Sequence, residues 1–306
     1  MKTVIVLLLL MSPMLESNNL ILTHDGEEIY TSPPEQLLPH NILFPFIDQL
    51  KIDNVIGQVQ EQVAKAPVDA KIGESGEIVP ERVGYELHRK NFMSKLYNYL
   101  YEGGKNRFEV PLLPIHPKVD RELLANIRTQ QIGHYVTYFN SHNKERSHNI
   151  KLAAKGIDSH VVFPGETFSF NKVVGKRTKE KGYKPAPVIV KGEVTEGIGG
   201  GICQVSSTLY NAVDNAGVKI KERYSHSKRV PYVPKGRDAT VSWYGPDFTF
   251  KNDYNQPLLL RAKIYGGQLS VSVYSSDVID FNSRKIPGAS KKLPDEIHLD
   301  SHDNGF

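Results

Sequence analysis

The sequence predicts an α+β protein of two units. A small α+β domain comes first; in the mixed α+β domain after it, a glycine-rich turn leads through a cysteine into a helix, and the C-terminal half is β-rich. Three observations predict this. Apolar residues recur at helical spacing only in short stretches such as 91–101 and 203–216. Alternating stretches cluster after residue 218. Tyr265-Gly-Gly267 separates two alternating runs, a strong hairpin signal. A chain of 306 residues holds two domains of ordinary size. With 39% apolar and 24% charged residues it reads as soluble and globular rather than as a bundle of membrane spans. The net charge of +4 suits anionic polymers or lipid headgroups but is too small and dispersed to argue for nucleic acid. The sequence contains no zinc-ligand cluster and no phosphate-binding glycine loop, so neither a metal nor a cofactor is expected.

Taken in order, residues 1–17 read as a signal peptide or N-terminal anchor. Lys2 supplies a positive charge, Val4–Leu10 is unbroken apolar sequence, and the run is too short for a membrane span. Leu15-Glu16-Ser17 lacks a small-x-small cleavage pattern, which leaves removal and retention both open, and no Cys follows to make a lipoprotein signal. Residues 18–45, polar and holding Pro33, Pro34, Pro39 and Pro45, read as a linker. A first compact region spans 46–125. In it Ile47, Leu50, Val55 and Val59 suggest helical core positions, and Lys71–Pro80 reads as a hairpin. Asn91–Tyr101 is a helix carrying Phe92, Leu96 and Leu100, ended by Gly103-Gly104. Phe108–Ile115 is extended, and Asp120 starts another helix. A second region spans 130–275. Its expected elements are a strand at Gly133–Phe139, a helix at His148–Ile157, strands at Ala239–Tyr244 and Phe248–Lys251, and the hairpin around Tyr265-Gly-Gly267. Residues 276–306 read as a mobile polar tail.

The chemistry concentrates in Gly197-Ile-Gly-Gly-Gly-Ile-Cys203-Gln-Val-Ser-Ser-Thr208. Gly199, Gly200 and Gly201 permit positive φ and close backbone approach. The helix that follows places Val205, Leu209, Val213 and Ala216 on one face, and Ser206, Ser207, Tyr210 and Asn211 on a polar face shared with Cys203. Cys203, the only cysteine, thus stands at a helix N-terminus, where unpaired N–H groups and the dipole favour a thiolate. His226 lies just past a strand read at Val218–Tyr224, and Asp238 on the next extended stretch. Helix cysteine, strand histidine, strand aspartate is the chain order of transglutaminase-like cysteine enzymes. In that reading Cys203 attacks a carbonyl, His226 is general base and acid, and Asp238 orients the imidazole. Gln204 or the helix N–H groups stabilise the oxyanion, and the three glycines, Gln204, Ser206 and Ser207 form the binding surface. The bland reading stands beside it: cysteine often packs as a small hydrophobe, and His226 is one of 11 histidines.

An ordered set of segments carries a resemblance. Phe163-Pro-Gly-Glu-Thr-Phe-Ser-Phe-Asn171, Gly182-Tyr-Lys-Pro-Ala-Pro, Gly199-Gly-Gly-Ile-Cys-Gln-Val-Ser-Ser-Thr-Leu-Tyr-Asn211, His226-Ser, Tyr232-Val-Pro, Gly236-Arg-Asp-Ala-Thr-Val241 and Phe250-Lys-Asn closely resemble the VanW family, in its small exported form of the YoaR type. The founding member of that family is an accessory protein of vancomycin-resistance clusters. The match covers 130–275, a VanW-like domain. Upstream, Ile78-Val-Pro-Glu-Arg-Val-Gly-Tyr-Glu-Leu and Val110-Pro-Leu-Leu-Pro resemble a peptidoglycan-binding domain, placed at 46–125.

The resemblance implies a cell-wall setting without supplying a reaction. The first functional reading is an exported cell-envelope protein acting in cell-wall maintenance or synthesis by binding peptidoglycan. The alternative is a cysteine-dependent peptidase, amidase or transpeptidase acting on peptidoglycan peptides. Expected partners are peptidoglycan or its stem peptides, with cell-wall enzymes a further class and the membrane met only through an uncleaved N-terminal segment. Cell fractionation should recover the protein from the medium, wall or membrane; a purely cytosolic pool contradicts the reading of Lys2–Leu15.

Overall fold

The computed structural model describes residues 18–37, 48–190 and 193–293; residues 1–17, expected to be a signal peptide or anchor, and the last 13 residues of the expected tail lie outside them. In chain order the elements are β1 (Leu20–His24), β2 (Glu27–Ser32), α1 (Gln49–Val63), β3 (Lys71–Ile72), β4 (Ile78–Val79), β5 (Gly84–Leu87), α2 (Arg89–Glu102), β6 (Arg107–Glu109), β7 (Leu112–Ile115) and α3 (Arg121–Ile127). They continue with β8 (Gln130–Tyr138), α4 (Lys144–Ile157), β9 (Val161–Val162), β10 (Thr167–Ser169), α5 (Phe170–Val174), β11 (Pro185–Val190), β12 (Glu193–Ile198), α6 (Ile202–Asn215), β13 (Lys219–Glu222), β14 (Thr249–Lys251), β15 (Leu258–Tyr265) and β16 (Gln268–Ser275). The fold is α+β, and no helix among the described residues is long and apolar enough to cross a membrane.

The chain divides into two compact units, Met1–Asp69 with Glu81–Lys118, and Ala70–Pro80 with Val119–Phe306. In the first, β1 pairs antiparallel with β2 and parallel with β6. This corrects the reading of 18–45 as linker over its described part: Leu20 and Leu22 are fully buried, and a short apolar strand inside polar flanks had been masked by its neighbours' composition. Helix α1 is N-capped by Asp48, which accepts from Leu50 N and Lys51 N. It buries Ile52, Val55, Ile56, Val59 and Val63, whereas Leu50 is 77% exposed and Ile47 lies outside the described residues. Helix α2 buries Phe92, Leu96 and Tyr99 and ends at Gly103 with φ 65°, the left-handed cap its glycine allows.

The second unit holds a four-stranded antiparallel sheet ordered β8-β16-β15-β9, with α4 and α6 sharing one core with it. A three-stranded sheet ordered β10-β14-β13 and the hairpin β11-β12 complete it. The β3–β4 hairpin, expected inside 46–125, belongs here. Ala70 N donates to Val119 O (2.8 Å) and Ile72 N to Ser159 Oγ (3.0 Å), and Ile72 packs with Leu124, Val161 and Leu259. Ala239–Tyr244 is not a strand. Its donors are taken elsewhere, Ala239 N by Ser207 Oγ (2.8 Å) and Ser242 N by Pro246 O (2.8 Å), so no ladder forms. Residues 276–293 carry no regular element, yet Ile279 is buried and Arg284 donates to Asp214 (2.7 Å), so this stretch is anchored and not a free tail.

Helix α6 lies so close to β8 that a Cβ on Gly133 would stand 2.4 Å from Ala212 O and 2.7 Å from Ala216 Cβ. Both obstacles belong to a packed helix that cannot yield. Gly133→Ala should therefore lower stability by about 1–3 kcal/mol, as overpacking does, measured by urea unfolding; an unchanged midpoint contradicts this packing.

Candidate active site

The site begins with the turn before α6. Gly199 and Gly201 hold φ of +89° and +103°, and a Cβ on Gly200 would lie 2.6 Å from Pro187 O. The turn therefore seats against β11, and Asn149 Nδ2 donates to Gly200 O (3.1 Å) to hold it. Gly199 and Gly201 line the pocket described below, whereas Gly200 is a buried spacer. Gly201 is the N-cap of α6 and offers no side-chain acceptor; Ile202 N and Gln204 N donate instead to Gly199 O (3.2 Å) and Gly201 O (3.0 Å), which leaves Cys203 at the positive end of the helix.

Cys203 is half-buried at the second residue of α6. Its Sγ lies 3.7 Å from Thr240 Oγ1 and 3.6 Å from the Val241 carbonyl oxygen. His226 and Asp238 both lie on the irregular segment between β13 and β14 and not on strands, yet the structure brings them to the cysteine. Asp238 Oδ2 accepts from His226 Nδ1 (2.6 Å) and from the His226 backbone N (2.6 Å). Both side chains are nearly closed off from solvent, at 5% and 9% exposure. With Nδ1 engaged by the carboxylate, Nε2 is the nitrogen left to face the thiol.

The electrostatics follow from this chain of contacts. Burial alone pushes the Cys203 thiol up, but the hydrogen bond and charge of His226, with Val241 and Thr240 behind, hold it below the ordinary thiol value. Burial pushes His226 down; the Asp238 carboxylate and the Cys203 sulfur outweigh it and raise the imidazole to about 9. Burial likewise raises Asp238, and its bonds to His226 bring it below the usual carboxylate range. All three shifts favour a thiolate–imidazolium pair braced by a carboxylate, titrating as a coupled unit.

The remaining expected residues fall differently. Gln204 is fully buried and its amide is spent: Nε2 donates to Thr137 Oγ1 (3.0 Å) and Tyr138 O (3.0 Å), and Oε1 accepts from Arg146 Nη2 (2.7 Å). It cannot serve an oxyanion and instead orients Arg146. Ser206 and Ser207 are also fully buried, so neither meets a ligand. Ser206 Oγ donates to Ala239 O (2.6 Å), and Ser207 Oγ donates to Cys203 O (2.6 Å) while accepting from Ala239 N (2.8 Å). These two serines clamp the segment that carries Asp238 and Thr240 onto the helix that carries Cys203.

Cys203 and His226 open onto a pocket of about 430 Å³. Its apolar wall includes Val188, Ile198, Val230 and Trp243, and its polar rim includes three cations, Arg146, Lys176 and Arg177. None of these cations was singled out from the sequence, where nothing separates them from the rest of 38 lysines and arginines. Trp243, the only tryptophan, was the one wall residue a sequence could have flagged. Among the described residues, the group spaced to hold a metal is His24, Asp25 and Glu109 of the first unit, where Glu109 already accepts from Thr23 Oγ1 and Asp25 N.

Comparison with known proteins now bears on this geometry. The family described as "VanW like protein" matches residues 145–274, which contain every residue of the triad. YoaR of Bacillus subtilis (strain 168) is 56% identical over 294 residues, 96% of this chain and 97% of that protein. The chain belongs to the VanW-like family. The vancomycin B-type resistance protein VanW of Enterococcus faecalis (strain ATCC 700802 / V583) is 36% identical to this VanW-like chain over 110 residues, 34% of the chain and 40% of that protein. No solved structure matches.

Ser207→Ala removes the acceptor of the buried Ala239 N–H. Stranding that donor should cost about 1–3 kcal/mol in denaturant unfolding. A variant as stable as the parent contradicts the clamp.

Proposed function

We propose that this protein is a cysteine-dependent acyl-transfer enzyme of the cell envelope acting on peptide bonds of peptidoglycan. The observation that carries the reading is the chain Cys203–His226–Asp238, assembled from a helix N-terminus and an irregular segment at the wall of a single pocket. A merely structural cysteine has no need of a buried imidazole raised by a buried carboxylate. The wall setting is supported by the vancomycin-resistance role in the name of the Enterococcus relative and by the apolar run Val4–Leu10, read as an export signal.

In the chemistry these groups support, the Cys203 thiolate attacks the substrate carbonyl carbon and a C–S bond forms. Charge develops on the carbonyl oxygen, near the positive end of the α6 dipole. The C–N bond then breaks as the His226 imidazolium gives its proton to the departing amine, leaving a thioester on Cys203. A second nucleophile loses its proton to His226 and attacks the thioester, releasing the sulfur as thiolate and restoring the pair. If that nucleophile is water the enzyme is a peptidase or amidase; if it is the amine of another peptide, a transpeptidase. Asp238 holds the imidazole in the tautomer and orientation both steps use.

The sign of the pH dependence is fixed by the direction of the shifts. A thiol held low stays ionised at pH values where an ordinary cysteine, with its pKa of about 8.5, is protonated. Iodoacetamide alkylation of the native protein should therefore remain fast as pH falls below that value, with its midpoint displaced downward. His226→Ala removes the stabilising charge and leaves only Val241 and Thr240 against burial, so the midpoint should move up. Asp238→Asn should slow thioester formation by about a hundredfold or more. Cys203→Ala and Cys203→Ser should fold normally and give no acyl-enzyme by mass spectrometry. A thiol of ordinary pKa, indifferent to His226, overturns the enzyme and returns the case to binding without chemistry.

A further inference from the structure

The pocket that serves Cys203 is lined by three side-chain cations and by no aspartate or glutamate among the described residues. Two of the cations are tied down. Arg146 Nη2 donates to Gln204, and Lys176 Nζ donates to the Tyr244 hydroxyl (2.7 Å) while lying 5.1 Å above its ring. Arg177 differs. Its Nη1 donates to Asn171 Oδ1 (2.7 Å), and its guanidinium lies 5.6 Å from the Phe170 ring centroid. The Asn171 amide is itself fixed, because Nδ2 donates to Ser242 O (2.9 Å) and Pro246 O (3.2 Å). The stem of Arg177 runs along the glycine turn: a Cβ on Gly199 would touch Arg177 Cβ at 3.4 Å and Cγ at 3.5 Å. Yet Nη2 is buried and has no hydrogen-bond partner among the described residues.

No carboxylate among the described residues bonds it. Arg177 feels the charge of Cys203 first, then of Tyr183 and Asp247, and Asp247 has both oxygens occupied: Oδ1 accepts from Asn171 N (2.9 Å) and Phe248 N (2.7 Å), and Oδ2 from Ser169 Oγ (2.5 Å). A buried, fixed guanidinium nitrogen with its N–H groups unused is costly to maintain, and such groups are ordinarily satisfied by something. A charged N–H donor is best met by an anionic oxygen such as a carboxylate.

We propose that Arg177 is the specificity-determining anchor of this pocket, pairing through Nη2 with a free carboxylate on the peptide that Cys203 attacks. The substrate is thereby an anionic peptide, and a peptide whose carboxylates are capped is a poor one. The inference rests on the reading of Cys203 as the nucleophile, but its binding half can be read without turnover.

The experiment uses the full chain carrying Cys203→Ala, with the fluorescence of Trp243, the only tryptophan and a wall residue of the pocket, as reporter. One probe is the stem-peptide pool released from purified peptidoglycan by an amidase, with its amines acetylated. The other is the same pool with its carboxylates converted to methylamides. The free-carboxylate pool should bind about tenfold more tightly or better, the loss expected when a charged hydrogen bond is removed. Adding Arg177→Gln should bring the ratio of the two affinities to about one, while Arg177→Lys should keep part of it, since the charge remains and only the placed guanidinium N–H groups are lost. Equal affinity for the two pools, or no binding of either, overturns the proposal even if the Gln variant fails to fold. A preference that survives in a folded Arg177→Gln protein overturns it as well. If the free-carboxylate pool binds as expected while the parent protein never forms a thioester, the anchor stands and the catalytic reading falls.

Discussion

Burying a helix on every side forces each of its polar side chains to find a partner inside the protein, and the second unit is organised by that demand. The apolar stripe of α6 meets the core, and its opposite face, with Gln204, Ser206, Ser207, Thr208 and Asn211, is equally closed to water. An unpaired polar group there would cost more than a hydrogen bond returns. Strand β8 and helix α4 supply those of Gln204, and one stretch of irregular chain supplies those of the two serines and Asn211. Asn211 Nδ2 donates to Arg237 O (2.8 Å), the two serines take both backbone groups of Ala239, and the cysteine sulfur meets Thr240 and Val241. The residue between the first two contacts, Asp238, is thereby presented to His226. Satisfying the helix and aligning the triad are one structural act.

The same arrangement supplies what a charged pair at Cys203 and His226 needs where both are largely removed from water. Taking a thiolate and an imidazolium out of water is expensive unless each is bonded and their mutual attraction acts at short range. Here His226 is bonded to a carboxylate that receives two N–H groups, and the nearby sulfur adds its charge to that of Asp238 in holding the imidazole up. The thiolate also has the positive end of α6 behind it. The irregular backbone of the segment is what permits this: a regular strand would commit its N–H groups to a ladder, whereas Ala239 and Ser242 give theirs to a side chain and a turn.

What the sequence reveals and conceals follows the same division. Helices α2 and α6 are legible because their apolar spacing and terminal glycines are local signals, and the β15–β16 hairpin is legible from Tyr265-Gly-Gly267. Cys203, His226 and Asp238 could be named from residue type and chain order. That Gln204, Ser206 and Ser207 serve the interior was not legible, because a polar helical face looks the same whether water or another backbone covers it. The alternation of Ala239–Tyr244 promised a strand, but periodicity cannot say where a donor's acceptor lies. Arg146 and Arg177 were invisible for a similar reason: whether a cation is spent depends on partners such as Gln204 and Asn171, which the sequence places 58 and 6 residues away.

The clamp on α6 reads its partner segment largely through main-chain atoms, at Arg237 O, Ala239 N and Ala239 O. Main-chain atoms are the same whatever the side chain. Positions farther along that segment, such as Trp243 and Tyr244, which are 41% and 85% exposed at the pocket's edge, are therefore uncoupled from the alignment of Cys203, His226 and Asp238. Mutation can redraw the mouth of the pocket there while Cys203, His226 and Asp238 beneath keep their arrangement, so the surface a ligand meets first is free to drift separately from the groups at the pocket's floor.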